Sequence, residues 1–348
     1  VATLVLGLGY LGAALARDLL AGGEAVVGLD NGFATDWPAV EDLGAGLPGR
    51  FTPLQGDLRD PSALNEAFRA ATPVRSVFLL AAQASAHPQA APPEYTEETN
   101  LRGPRLVFEG ALRHGRPPVV YGSSFHVYGR GLQGEVDEGQ PYGVLRDLAH
   151  LSKVYAEKLG EMMALTEGVP CSPVRLGIVY GLGPVTKSDL RFVTAPHAFC
   201  LRAIAGEPLP IHPAGLHPAG YVHLADAVAA LRLGAGLPSP QRPYVPANAV
   251  SETASALDVA RLVQRTAWEA GYDATLRRHT PQAPAGEEDS SGITGGQAFT
   301  VRSVLDGAGW RPTGTLAAAL PRIFAHYAAG KAGEPGKPEQ PVLGPDGP

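Results

Sequence analysis

The chain has almost no cysteine: Cys171 and Cys200 are the only two among 348 residues. A disulfide-stapled fold and a thiolate-rich metal centre are therefore excluded. Two isolated thiols suit a reducing compartment, so the expectation is a cytoplasmic protein. Aromatic residues are 7% and charged residues 18%, with a net charge of −6. That balance lacks the basic footprint of a nucleic-acid or anionic-membrane binder. No apolar run reaches bilayer-spanning length. The chain opens inside a strand-like run, and no signal peptide is expected. His197, His212, His217 and His223 crowd one region, but their spacing fits no zinc pattern. No metal is expected.

Glycine (43) and proline (33) are plentiful, spread as turn punctuation. The first thirty residues organise the rest. Val1 to Leu6 is an apolar run suited to a buried parallel strand. Gly7-Leu8-Gly9-Tyr10-Leu11-Gly12 follows, then a helical stretch to Leu20 and a second strand ending in Asp30. In such a unit the first glycine makes the turn and the second admits a pyrophosphate. The third lets helix and strand pack closely, and the helix N-terminus attracts the anion. Asp30 can accept both hydroxyls of an adenosine ribose and would repel a 2′-phosphate. The expected cofactor is NAD rather than NADP.

Strand and helix signals alternate through the first half, which predicts a doubly wound parallel α/β sheet of Rossmann type. The expected division is an NAD-binding domain over 1–180 and a smaller, mainly substrate-binding C-terminal lobe over 181–330. Within it 221–247 returns to the main sheet. A tail over 331–348 (KAGEPGKPEQPVLGPDGP) reads as flexible. Pro173 to Tyr180 reads as one strand. Leu148 to Glu167 reads as a helix with Leu151, Val154, Tyr155, Leu159, Met162 and Met163 at three- and four-residue spacing. Ser255 and Asp258 form a capping-box pattern.

Further motifs fall at the strand ends: Gly56-Asp57-Leu58, Leu80-Ala81-Ala82, Asn100 with Gly103, and Ser123-Ser124 with Val127-Tyr128-Gly129. Others are Ser152-Lys153 with Glu157, Arg175 with Tyr180-Gly181, and Tyr221-Val222-His223 with Asp226. Together with the glycine loop they resemble the extended short-chain dehydrogenase/reductases, the NAD-dependent nucleotide-sugar epimerases and dehydratases, over about residues 1–325. His150-Leu151-Ser152-Lys153-Val154 and Gly220-Tyr221 are similar to the UDP-sulfoquinovose synthase-like branch. The resemblance implies that Asp57 and Leu58 hold the adenine, Ala81 and Ala82 line the nicotinamide side, and Lys153 bonds the nicotinamide ribose. It adds Tyr10, Leu11, Asn31, Gln83, Asn100 and Ser123 to the cofactor-binding residues. It also implies a homodimer built on Leu101–Arg113 and Leu148–Glu167, and a sugar or nucleotide-sugar substrate oxidised to a transient keto intermediate.

The pattern breaks at its chemical centre. The family places a tyrosine base four residues before the lysine; here that position is Ala149. Ala219 and Ile178 stand where relatives carry an Arg and an Asn for the substrate diphosphate. Ser124, which ends its strand, is the expected substrate-positioning hydroxyl. His150 and Tyr142 are candidate replacements for the base, and His126, two residues after Ser124, is a candidate to point the same way. A catalytically silent NAD-binding scaffold or sensor is the alternative reading.

Overall fold

The computed structural model describes residues 1–85, 91–185, 193–278 and 299–332. Seven strands form the central sheet: β1 (Ala2–Leu6), β2 (Val26–Asp30), β3 (Phe51–Gln55), β4 (Val74–Leu79), β5 (Val119–Ser124), β6 (Cys171–Leu176) and, at the edge, Ala247–Ala249. All are parallel, in the order Ala247–Ala249, β6, β5, β4, β1, β2, β3. The order reverses at β1, whose carboxyl end carries the glycine loop, so ligands meet the sheet at that crevice.

The strands are apolar because both faces are covered. Alternation decides which residue goes where: Val5 of β1 points to one face, Leu4 and Leu6 to the other. The first face packs on α1 (Tyr10–Ala21) and on a helix over Leu224–Gly234. The second face packs on α2 (Pro61–Ala71), α3 (Gly103–Arg113) and α4 (Leu148–Glu167). Asn100 lies in a π-helical turn, Glu98–Arg102, that runs directly into α3. A third apolar cluster joins helices α5 (Ala195–Ala205), α7 (Ala256–Glu269) and α8 (Leu316–Ala332), with α6 naming the Leu224–Gly234 helix. The Ser255–Asp258 capping box opens α7 as the pattern predicts.

Two sequence expectations change. The strand read over Pro173 to Tyr180 is two: β6 ends at Leu176, and Ile178–Tyr180 belongs to a separate three-stranded sheet. The chain changes sheets at Gly177, where a Cβ would lie 2.8 Å from the backbone of Gly220. Only glycine permits that approach. Ala219–His223 likewise pairs with Ile178–Tyr180 and Glu252–Ala254, not with the central sheet. The strand that does return is Ala247–Ala249, alongside β6. The stretch expected to be a flexible tail lies outside the described residues from 333 onward, and α8 runs on to Ala332.

The orientation of α4 is set by packing. Its sheet-facing side consists of Ala149, Ser152, Lys153, Ala156, Glu157, Gly160, Met163 and Ala164. Leu151, Tyr155, Met162 and Leu165 face outward. Gly160 explains part of this: a Cβ there would lie 2.6 Å from Cys171 Sγ, so the helix needs small residues to sit this close to β6. The large apolar side chains form a stripe on the outside of the fold.

Candidate active site

At the start of α1 the three glycines have distinct surroundings. A Cβ on Gly7 would lie 2.4 Å from the amide nitrogen of Ala81, and one on Gly12 would lie 1.8 Å from the carbonyl of Gly7. Gly7 also has φ +97°, a region costly for any side chain. Gly9 differs: the nearest atom to its Cβ position is Thr35 Oγ1 at 3.8 Å, so its outer side is open. Gly9 is the N-cap of α1, and no side chain caps that end. An open cradle over a helix N-terminus fits a pyrophosphate. Leu11 packs against the adjoining core. The Tyr10 phenol donates to the Gly181 carbonyl at 2.6 Å, so its side chain ties the loop to the C-terminal lobe. Any contact of Tyr10 with a dinucleotide therefore falls to its backbone.

Asp30 accepts backbone N–H groups from Leu8 (2.7 Å) and Gly32 (2.8 Å), one on each oxygen. This fixes the carboxylate at the end of β2 with a lone pair left on each oxygen for a ribose. Asn31 Nδ2 donates to Asp57 at 2.9 Å, and Arg59 grips the same carboxylate through Nε and Nη2. Burial opposes the Asp57 charge, yet the bonds from Arg59 and Asn31 hold its pKa down at about 2. Arg59 also lies over the Tyr95 ring, which stacks on the half-exposed Phe33. Leu58 is buried and packed beneath Gly103, so it offers backbone rather than side chain to a ligand.

At the end of β4, Ala81 donates its N–H to Leu6 (2.7 Å), which draws it beside Gly7. Ala82 stays partly exposed. Asn100 clasps the backbone of Gln83 in both directions, at 2.8 Å each, and reaches Ser152 at 2.9 Å. Gln83 Oε1 is buried with no hydrogen-bond partner. An orphaned acceptor here fits a donor group on a bound molecule. The Asn100 side chain itself is occupied with scaffolding.

The chemistry-bearing residues gather between β5 and α4. Lys153 Nζ donates to the Gly122 carbonyl at 2.8 Å and lies over the Tyr121 ring. Burial pulls its pKa down to about 8, against the opposing pull of Glu157. Ala149 sits one helical turn earlier on the same buried face.

Alternation along β5 separates the paired serines. Ser123 is buried and donates to Glu157, so it belongs to the scaffold rather than, by its side chain, to the cofactor as expected. Glu157 is wholly buried and paired with Arg175 (2.7 Å). Arg175 in turn donates to the Tyr128 hydroxyl at 2.6 Å. Tyr142 is drawn into this network as well: its hydroxyl donates to Glu157 at 2.9 Å. Burial, then the Glu157 charge, raise its pKa above the ordinary phenol value. A phenol held this way is poorly placed to act as the expected base.

Ser124 lies on the other side. Its Oγ accepts the His126 N–H (3.2 Å) and stands 3.3 Å from His126 Nδ1. The His126 ring meets the His150 ring at 4.9 Å between centroids. His150 Nδ1 is 2.6 Å from Asp147, the N-cap of α4. Thus Ser124 and His150, two of the proposed catalytic residues, are joined through His126. Asp147 was missed, although an Asp three residues before His150 at a helix start is a readable capping signal.

Two of the lid histidines have structural roles. His197 Nε2 accepts the Gly181 N–H at 3.3 Å, and its Nδ1 is 2.9 Å from the Tyr327 hydroxyl. His223 accepts the Ala225 N–H and caps α6. Among the described residues no group of three His, Cys, Asp or Glu side chains could hold a metal. No helix there is long and apolar enough to cross a membrane. Cys171 and Cys200 are buried, and burial raises both thiol pKa values.

Known proteins place this geometry. The chain is 26% identical over 232 residues to a UDP-N-acetyl-α-D-glucosaminuronate decarboxylase of Bacillus cytotoxicus, covering 64% of this chain and 67% of that one. It is 26% identical over 150 residues to the chloroplastic UDP-sulfoquinovose synthase of Spinacia oleracea, covering 40% and 31%. Its fold is similar to that of the Thermotoga maritima UDP-glucose 4-epimerase solved with UDP-glucose: TM-score 0.76 and 19% identity, over 95% of this chain and 100% of that one. The family model described as the NAD dependent epimerase/dehydratase family matches residues 3–239, and with the glycine loop, Asp30, Ser124 and Lys153 assembled on its Rossmann sheet the chain belongs to that family.

Proposed function

We propose that this chain binds NAD and uses it to oxidise a sugar or nucleotide-sugar carbinol transiently to a ketone, which is then re-reduced or altered. One observation carries this reading: Ser124 ends β5 while Lys153 is held against the Gly122 carbonyl two residues earlier. A buried lysine beside a half-buried serine at the strand end is costly for a fold that performs no chemistry. When bound, NAD supplies the acceptor and later the donor of a hydride. Gly7, Gly9 and Gly12 would take the pyrophosphate, Asp30 the adenosine ribose, Asn31, Asp57 and Leu58 the adenine end, and Lys153 the nicotinamide ribose. Ala81, Ala82 and Gln83 would line the nicotinamide side. Ser124 would orient the reacting hydroxyl.

Ala149 favours the second reading, an NAD-binding scaffold that has lost its base. Stopped-flow absorbance of reduced cofactor, with NAD-loaded protein and a panel of UDP-sugars and free sugars, separates the two. The enzyme reading expects cofactor reduction with at least one of them; none in either the natural protein or Ala149→Tyr leaves the scaffold. Because Ala219 and Ile178 replace the expected diphosphate ligands, free sugars belong in the panel.

The outward stripe of Leu151, Tyr155, Met162 and Leu165 on α4 supports a homodimer. Light scattering should give twice the chain mass, and Leu165→Glu with Tyr155→Glu should return a monomer.

A further inference from the structure

We propose that His126 takes the place of the missing phenol as proton acceptor, reached through Ser124 and positioned by His150 and Asp147. This rests on the NAD-dependent oxidation proposed above. The position that normally holds the base is Ala149, buried in the first turn of α4. The short 3-10 turn Phe125–Tyr128, which carries His126, packs against that helix. The residue after Ala149 is His150, whose ring stands against His126. The imidazole pair is therefore built at the helix turn where the phenol is lacking.

The hydrogen bonds have a usable direction. Ser124 Oγ already accepts the backbone N–H of His126, so its own proton is available to His126 Nδ1 at 3.3 Å. That needs the neutral ring with its proton on Nε2. Burial first, then the neighbouring His150 and Arg130, hold His126 down at about 4, with Asp147 pulling the other way. At neutral pH the ring is thus free to accept. His150 donates from Nδ1 to Asp147, which orients its ring and keeps a carboxylate close to the charge that His126 acquires.

The substrate C–H bond breaks and its electron pair leaves with hydrogen to the oxidised nicotinamide. The substrate O–H proton passes to Ser124 Oγ as the Ser124 proton moves to His126 Nδ1. A C=O bond forms, and His126 holds one proton until re-reduction returns it. His126 acts through Ser124, and His150 and Asp147 are positioning residues for it.

The test is a cycle with Ala149→Tyr, using the NAD-loaded protein and the same panel of UDP-sugars and free sugars, UDP-glucose and UDP-glucuronate among them. His126→Asn should lower cofactor reduction by ~100-fold or more in the natural background and by only ~3-fold or less once a phenol stands at 149, since a general base is worth ~10²–10⁴. Equal losses in both backgrounds overturn the proposal, because a merely structural role would not distinguish them. The rate should also fall as pH drops toward the His126 pKa, and this acid limb should be missing from His126→Asn. A second readout needs no turnover: NMR titration of the histidine rings in the NAD-loaded protein. His126 should titrate well below an ordinary histidine, and lower still in Asp147→Asn. An ordinary value, or no response to Asp147→Asn, overturns the proposal. Turnover in Ala149→Tyr but not in the natural protein overturns the relay while leaving the pocket competent. No turnover in either overturns the oxidation reading and the relay with it.

Discussion

The two ends of the site obey different rules. At the cofactor end, each glycine has its own steric reason, and Asp30 is pinned by two backbone N–H groups. Between β5 and α4, Lys153 and Ser124 stand near Ala149, which carries no ionisable group, and the surrounding polar groups pair with one another. Binding a dinucleotide depends on backbone geometry that tolerates little change. Moving a proton depends on whichever titratable group reaches the oxygen, and several side chains can do that. The contrast teaches that on this fold the glycine loop is fixed by backbone sterics, while the groups between β5 and α4 are fixed by side-chain pairing.

The largest expected effect strikes the frame that both ends share. Glu157→Ala leaves Arg175 buried without its partner and should cost ~3–5 kcal/mol in urea unfolding. A double change of Glu157 and Arg175 to apolar residues should cost less than either single one. If Glu157→Ala unfolds like the natural protein, the buried pair is not what holds β6 to α4.

Gly9→Val sharpens the comparison from the cofactor side. Its Cβ enters open space, so the thermal midpoint without cofactor should barely change, while NAD affinity should drop by more than ~10-fold, or ~1.4 kcal/mol. Unchanged NAD affinity by calorimetry would mean that the pyrophosphate does not cross Gly9. Asp30→Ala should weaken NAD by ~1–3 kcal/mol and narrow the preference over NADP, read by titrating both cofactors.

A further effect is a pH slope. The folded Lys153 pKa is about 8, below the 10.5 of an exposed lysine. Between those values the unfolded chain binds more protons than the folded one, so stability should rise with pH across that window. The cost of burying the ammonium is present below about pH 8 and relieved above it. Lys153→Met should lack this rise in denaturant midpoints measured from pH 8 to 10.5.

Much of the fold was legible because its signals are local. The β1 run, the glycine loop and the α7 capping box each lie within a few consecutive residues, where sterics and hydrogen bonding act directly. The α4 boundaries were readable for the same reason, but not its orientation. Periodicity marks an apolar stripe without saying what covers it. Here the sheet takes the small and charged face because Gly160 must pass Cys171 closely. Tyr142 was a candidate from its place in the loop before α4, and Ser123 from the family resemblance. Their hydroxyls are bound by Glu157, a partner 15 and 34 residues away, which no local pattern reveals.

The sequence by itself determined the Rossmann α/β architecture, the glycine loop with Asp30 closing the second strand, the lysine and the absence of a phenol at 149. These follow from residue identity at fixed short spacings, where backbone sterics leave one solution. Only the tertiary structure decided that the chain changes sheets at Gly177, that Glu157 collects Arg175, Tyr142 and Ser123, and that His126 stands between Ser124 and His150. Those pairings depend on strand order and on how closely α4 approaches β5 and β6. A buried charge or hydroxyl bonds to whatever partner the packing brings within about 3 Å, however far away it lies in the chain.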